Sequence, residues 1–241
     1  MKSVQACPIQ EISRITGDLY DLRLYAPEIA RKAQPGQFLH IQTGGGLLRR
    51  PISICDVMGD IVRVIFAVRG DGTKALANQK AGEILDVLGP LGTGFHVEGK
   101  KPAVIGGGIG IFPLLFLCKQ LIKPKIYLGF RTKEQMVLTD AFATFGEVHI
   151  ATDDGSFGYH GRVTDLADKE DADVYYACGP APMLRAVQKI AGDTPMQLSM
   201  EERMGCGIGG CAVCVCKVNG HYEKVCQKGP VFNGKELDLH D

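Results

Sequence analysis

The tightest constraint on this chain is a cysteine ladder near its C-terminal end. Cys206, Cys211 and Cys214 stand as C-x4-C-x2-C, and Cys226 follows after eleven intervening residues. In that spacing four thiolates hold one [2Fe–2S] cluster. Gly205, Gly207, Gly209 and Gly210 fill the ladder. Glycine reaches φ > 0 without a Cβ clash, which suits a loop whose amides turn inward toward sulfur. A zinc ribbon would want two Cys-x2-Cys knuckles, and only Cys211 with Cys214 gives one. The expected metal ligands are therefore Cys206, Cys211, Cys214 and Cys226. Cys216 places a fifth thiol nearby, but its flanking valines give a strand pattern, so it reads as a packed residue.

Composition narrows the class. A chain of 241 residues has room for two domains and a small module. Its 27 basic and 27 acidic residues cancel, so charge favours neither nucleic acid nor an anionic membrane. No apolar run approaches the roughly 20 residues needed to cross a bilayer, and the N-terminus from Met1 to Cys7 lacks the apolar core of a signal peptide. Nine cysteines are an odd number, and five of them crowd into 206–226. Metal chemistry in a reducing cytoplasm accounts for that better than a secreted disulfide scaffold.

From Val4 to about Val97 the pattern is short and strand-like. Tyr20–Tyr25, Gln37–Ile41, Ile52–Asp56, Ile61–Val68 and Ile84–Leu88 read as strands, with turns at Pro35-Gly36, Gly59-Asp60 and Gly89-Pro90. With one helix near Lys74–Gln79, they predict a small antiparallel barrel. Two places in it carry chemistry. In Arg50-Pro51-Ile52-Ser53 the arginine is pushed into an extended conformation by the proline, and its fork of donors suits a phosphate. Gly70-Asp71-Gly72-Thr73 precedes the helix, where free amides and the Thr73 hydroxyl can meet an anion. Each motif alone is commonly structural; their pairing gives them weight.

From Pro102 strands and helices alternate. Pro102–Ile105, Lys125–Phe130, Val148–Thr152 and Val174–Cys178 read as strands, and Phe112–Ile122 as an apolar helix. That order predicts a parallel sheet with ligands at the strand C-termini. Gly106-Gly107-Gly108-Ile109-Gly110 follows the first strand, where a pyrophosphate would rest. It departs from G-x-G-x-x-G, because Ile111 and Pro113 interrupt the fingerprint. Cys178-Gly179-Pro180 ends a later strand and opens a helix. Arg131 at the tip of the second strand and Asp153-Asp154-Gly155-Ser156 after the third leave NAD and NADP both open. Further on, Gln197–Ser199 reads as the last sheet strand. Val215–Val218 and His221–Val225 form a hairpin around Asn219-Gly220, and that hairpin returns Cys226 to the other ligands.

These motifs resemble the ferredoxin–NADP reductase superfamily: Arg50-x-x-Ser53 with Gly72-Thr73, the Gly107-Gly108-Ile109-Gly110 loop, and Cys178-Gly179-Pro180. The resemblance implies a multi-domain β plus α/β fold. It would comprise an antiparallel flavin-binding barrel over 1–99, a parallel α/β nicotinamide-binding domain over 100–199, and a small [2Fe–2S] module over 200–241. It implies FAD held by Arg50, Pro51, Ile52 and Ser53, by Ala67, Val68 and Arg69, and by Gly72 and Thr73. NAD would lie on Gly107, Gly108, Gly110, Cys178 and Gly179, with Cys178 a positioning residue near the nicotinamide rather than a nucleophile. Ile52 stands where many members carry a flavin-stacking aromatic, so that contact must be apolar packing or come from elsewhere.

The three parts in this order resemble the electron-transfer subunits of class 1B dihydroorotate dehydrogenases. Met204-Gly205-Cys206-Gly207-Ile208-Gly209 and Cys226-Gln227-Lys228-Gly229-Pro230-Val231-Phe232 add to the likeness. It implies a TIM-barrel partner carrying FMN, two copies of each chain in a heterotetramer, and electron flow through the cluster and FAD to NAD⁺. Two other readings share the layout. One is the flavin and iron–sulfur subunit of an NAD(P)H:ferredoxin or sulfide-type oxidoreductase; the other is a flavin redox sensor without turnover.

Overall fold

In the structure, a computed structural model, residues 3–44, 46–167 and 171–239 are described. Met1 and Lys2 of the N-terminus, and His240 and Asp241 of the polar tail, lie outside that set. Compactness divides the chain in two. One unit takes the chain up to Gly94 together with Glu202–Val215 and Lys224–Pro230; the other takes Phe95–Glu201, Cys216–Glu223 and the chain from Val231.

The first unit is built on a closed antiparallel barrel. Its strands are β1 (Ser3–Thr16), β2 (Leu19–Tyr25), β3 (Phe38–Ile41), β4 (Arg50–Met58), β5 (Ile61–Ala67) and β6 (Ile84–Leu91), in the order β1-β2-β5-β4-β3-β6. The barrel matches expectation because alternation survives in its middle strands. Leu22, Leu24, Val62 and Val64 are fully buried, while Arg23 and Arg63 pair across β2 and β5 on the other face. The long β1 was not among the expected strands. Pro8 and a bulge between Ile9 and Glu11 break its two-residue period. Helix α1 (Pro27–Ala30) follows β2, and α2 (Asp71–Ala77) starts three residues before the predicted helix.

In the second unit seven strands lie in the order β10-β9-β8-β7-β11-β12-β15. They are β7 (Pro102–Gly107), β8 (Lys125–Phe130), β9 (Glu147–Thr152), β10 (Tyr159–His160), β11 (Val174–Cys178), β12 (Met196–Ser199) and β15 (Val231–Asn233). The pairs from β10 to β12 are parallel. Strands β7 and β11 are buried throughout, as expected for strands covered on both faces. Helices α3 (Phe112–Cys118), α4 (Thr139–Ala143), α5 (Val163–Ala167) and α6 (Ala181–Ala191) pack on this sheet. Pro113 sits in the first turn of α3, where a missing N–H costs nothing. The helix stops at Cys118, short of the predicted Ile122. Lys123 takes φ 45° directly before Pro124, and a residue before proline is disfavoured in helix.

One strand came from an unexpected place. Val231–Asn233 adds antiparallel to β12, pairing Leu198 with Phe232, so the chain beyond the last cysteine completes the nucleotide-type sheet. The hairpin β13 (Val215–Val218) and β14 (His221–Lys224) turns at Asn219 and Gly220, both at positive φ, as Asn-Gly predicts. Helix α7 (Val225–Lys228) then carries Cys226.

Within the barrel Asp21 and Arg63 form a buried ion pair. Arg63 donates to both oxygens of Asp21 at 2.8–3.0 Å, and Asp21 is 6 % exposed. Asp21→Ala strands the guanidinium and should lower stability by about 3 kcal/mol, read as a shifted urea midpoint with unchanged slope.

Candidate functional site

The four predicted ligand cysteines come together within the first unit. Cys206 and Cys211 are half-buried, while Cys214 and Cys226 are fully buried. They form two pairs. The sulfurs of Cys206 and Cys211 stand 3.4 Å apart, and Cys226 N–H donates to Cys214 Sγ at 3.5 Å. Two sulfurs about 2.3 Å from one tetrahedral metal stand about 3.8 Å apart, so the first pair is spaced to share one iron. Among the described residues, no three His, Cys, Asp or Glu side chains gather as a group for one ion.

Glycine makes this arrangement possible. Gly207 and Gly209 take φ 71° and 86°, and the loop turns its amides onto sulfur. Gly210 and Cys211 donate to Cys206 Sγ at 3.2 and 3.3 Å, and Gly209 donates to Cys226 Sγ at 3.2 Å. Burial raises the Cys206 pKa, but the amide bonds outweigh it and hold the thiol at about 6. Such donors stabilise thiolate, the ligand form. Burial, then the adjoining Cys214, push Cys226 up to about 12 against the Gly209 amide, so this thiol gives up its proton on binding metal; with that, the residues present fit a thiolate-held cluster. Lys224 Nζ donates to Gly209 O at 2.8 Å and Thr93 N to Gly229 O at 2.6 Å, tying both ends of the ladder down.

One neighbour was not foreseen. His40 on β3 is wholly buried, and neither ring nitrogen meets a hydrogen-bond partner. A Cβ on Gly207 would lie 2.6 Å from its Nδ1. Burial first, then the charge of Arg49, lower its pKa to about 4 against the smaller opposing pull of the Cys206 and Arg49 backbone. The imidazole is neutral. A histidine alternating with Leu39 and Ile41 on a strand gives no sequence signal of such a place.

The same unit joins Arg50 to Gly72. A Cβ on Gly72 would fall 2.1 Å from Arg50 Nε, so the guanidinium lies directly against the glycine. It also donates to Leu48 O at 2.6 Å. The Thr73 hydroxyl is committed locally: it accepts from the Arg69 and Gly70 amides and donates to Gly70 O. Its part is to shape the turn. Arg69 pairs with Asp18 at 2.8 Å, Ala67 closes β5, and Val68 N donates to Asp18 O. Ile52 is buried at 7 % exposure, and Ser53, opposite Phe38, is half-buried.

In the second unit the glycine loop and the Cys178 turn are packed backbone to backbone. A Cβ on Gly110 would meet Cys178 O at 2.4 Å and Gly179 N at 2.7 Å. Added carbons on Gly107 and Gly179 would both strike Met183, at 2.7 and 2.5 Å. Gly108 takes φ 57° with nothing near it, leaving an open loop tip. Cys178 is 2 % exposed. Burial first, then the charge of Glu201, push its thiol well above the usual range, with a hydrogen bond to Ser199 opposing. Glu201 was not foreseen either. Although the residue is exposed overall, its carboxyl is crowded enough that burial raises its pKa. Asp154 is turned to its own loop, bonding Ser156 at 2.6 Å.

Known proteins share this build. The family model for the iron–sulfur cluster binding domain of dihydroorotate dehydrogenase B matches residues 201–238. Among curated proteins, the dihydroorotate dehydrogenase B (NAD⁺) electron transfer subunit of Bacillus caldolyticus is 46 % identical, over 91 % of this chain and 93 % of its own length. That of Geobacillus kaustophilus is 45 % identical over the same shares. Among solved structures, a chain of an NADH-dependent reduced ferredoxin–NADP oxidoreductase, described for flavin-based electron bifurcation, superposes with TM-score 0.88 at 30 % identity. That match covers 98 % of this chain and 90 % of that one. A ferredoxin–NADP⁺ reductase from Neisseria gonorrhoeae with bound FAD and NADP shares the fold, with TM-score 0.66 at 18 % identity over 79 % of this chain and 91 % of that one.

The Cys178 geometry predicts an inert thiol. Alkylation by iodoacetamide in the native protein should stay negligible from about pH 7 to about pH 9, the range in which an ordinary thiol ionises. Peptide mass spectrometry should find it labelled only after denaturation.

Proposed function

The chain belongs to the family of dihydroorotate dehydrogenase B (NAD⁺) electron transfer subunits, and on that premise we propose which residues carry the transfer and between which partners. It is an NAD-linked oxidoreductase subunit of pyrimidine biosynthesis that uses FAD and a [2Fe–2S] cluster and works with a catalytic subunit. The observation that carries the reading is the paired thiols of 206–226 under inward-turned amides, in the same compact unit as the Arg50–Gly72 contact.

Bound FAD and cluster supply, respectively, hydride exchange with nicotinamide and single-electron passage. The chain supplies placement. Cys206, Cys211, Cys214 and Cys226 hold the cluster, and the amides of Gly209, Gly210 and Cys211 offset charge on its sulfur ligands. Arg50 lies where a flat guanidinium takes the FAD pyrophosphate, with Gly72 giving it room and Thr73 holding the turn. Pro51, Ile52, Ser53 and the segment Ala67, Val68, Arg69 line the flavin side. Gly108 leaves backbone open to the dinucleotide, Gly107 and Gly110 let the loop close on Met183 and the Cys178 turn, and Cys178 with Gly179 shapes the nicotinamide pocket. Hydride transfer between two cofactors needs no protein acid or base, which agrees with a protonated, buried Cys178.

The functional division we propose is 1–99 for FAD, 100–199 for NAD and 200–241 for the cluster. The catalytic partner is an FMN-containing TIM-barrel subunit in a two-plus-two heterotetramer. The cytoplasm is the compartment that suits the crowded, unbridged thiols. Among the described residues no helix is long and apolar enough to cross a membrane.

Co-expression with that partner tests the assignment, assayed as dihydroorotate-dependent NAD⁺ reduction. Cys206→Ser should abolish that flux while NADH still bleaches the flavin; survival of both activities would remove Cys206 from the ligand set. Flux to ferredoxin without any from dihydroorotate would support the ferredoxin-linked reading instead. Gly72→Ala separates the phosphate clamp from folding. The added carbon displaces only the flexible end of Arg50, so stability should hardly change. FAD affinity should fall about tenfold or more, the scale of one lost charge-assisted hydrogen bond, measured by the flavin-to-protein absorbance ratio after dialysis.

A further inference from the structure

His40 has no role in the reading above, yet it occupies a costly position. Its ring is 0 % exposed, and both nitrogens are buried without a hydrogen-bond partner. A neutral imidazole carries one donor and one acceptor, and each left unpaired in the interior costs about 1–3 kcal/mol. Two observations say what the ring faces. Gly207 must lack a side chain because a Cβ there would meet Nδ1, Cγ and Cε1 at 2.6, 3.1 and 3.2 Å. The backbone of Cys206, ahead of that of Arg49, is close enough to act on the ring as a hydrogen-bond acceptor, although the geometry falls short of a formed bond. Along the sheet His40 pairs in register with Pro51 of the Arg50–Ser53 motif. Arg49 donates from Nη1 to the His40 carbonyl at 3.4 Å and to Asp86 O at 2.9 Å. The ring therefore lies against the proposed cluster loop, on a strand whose neighbour carries the proposed flavin motif, all within the first unit.

We infer that His40 is a positioning residue for the cluster: its imidazole N–H pairs with the Cys206 carbonyl, fixing the Cys206–Gly207 limb and favouring the reduced state. The inference rests on Cys206 being a cluster ligand. The negative end of a carbonyl next to a ligand sulfur disfavours an added electron; pairing it with an N–H offsets that field in a medium of low dielectric. Hydrogen bonding and solvent exclusion are among the factors that set iron–sulfur potentials. A ring whose bulk alone mattered would need no polar atoms here, and an apolar side chain would avoid both orphaned groups.

The test uses the full chain co-purified with its partner, comparing wild type with His40→Leu, His40→Asn and His40→Gln. Asn and Gln return an amide N–H near the Nδ1 and Nε2 positions, while Leu fills space without a donor. The reduction equilibrium of the cluster is read by redox titration with electron paramagnetic resonance, and the flavin couple serves as internal reference. The expected result is a cluster about tenfold harder to reduce in His40→Leu, about 59 mV for one electron. Asn or Gln should recover most of that shift, and the flavin couple should not move. Loss of the cluster from Leu alone, with retention in Asn or Gln, supports the same conclusion. Equal potentials in all four proteins would overturn it, as would an equal shift or loss in all three variants, which would mark His40 as packing only. Wild-type protein without a [2Fe–2S] signal would instead overturn the ligand assignment, and this inference with it.

Discussion

Amide-to-sulfur hydrogen bonding at the cysteine ladder is the interaction on which the arrangement of this chain depends. Thiolates brought together repel one another, and burial followed by the adjoining Cys214 pushes the Cys226 thiol up to about 12. The offset comes from backbone N–H groups of Gly209, Gly210 and Cys211. Those amides turn inward because Gly207 and Gly209 take positive φ. The lowered Cys206 pKa is a direct consequence. The ladder is thus less a set of four side chains than a backbone shape that cysteine happens to decorate.

Close backbone approach is the recurring device elsewhere. Gly72 lies under a guanidinium, Gly110 lies against the Cys178–Gly179 backbone, and Gly207 lies against an imidazole. In each case a single methyl group would collide, but the consequences differ. Under Arg50 the colliding atoms sit at the end of a flexible side chain, so substitution disturbs binding more than folding. At Gly110 they are backbone, so the sheet itself would have to give. The same residue type therefore makes room for a side chain in one unit and for backbone in the other.

The sequence was most readable where spacing or alternation survives. The ladder, the middle barrel strands, β8 and β11, and the Asn219-Gly220 turn all appear as expected. It was least readable where a local rule is broken by something distant. Strand β1 loses its alternation to Pro8 and a bulge. Helix α3 ends early because of Pro124. Strand β15 is three residues long, too short for any periodicity, and is a strand only because β12 offers it an edge.

What the sequence determined by itself is the chemistry: four thiols at cluster spacing, an arginine ahead of a Gly-Thr turn, and a glycine loop after a buried strand. Those are properties of residue type and local separation, and local separation is written in the chain. Only the tertiary structure decided which of them meet. It set Arg50 over Gly72, packed Gly110 against Cys178, and put the buried His40 against Gly207. It also counted the ladder with the barrel while sending the segment after it to the sheet. Such contacts join residues tens to more than a hundred positions apart, and their energy depends on buried geometry that no window of sequence contains.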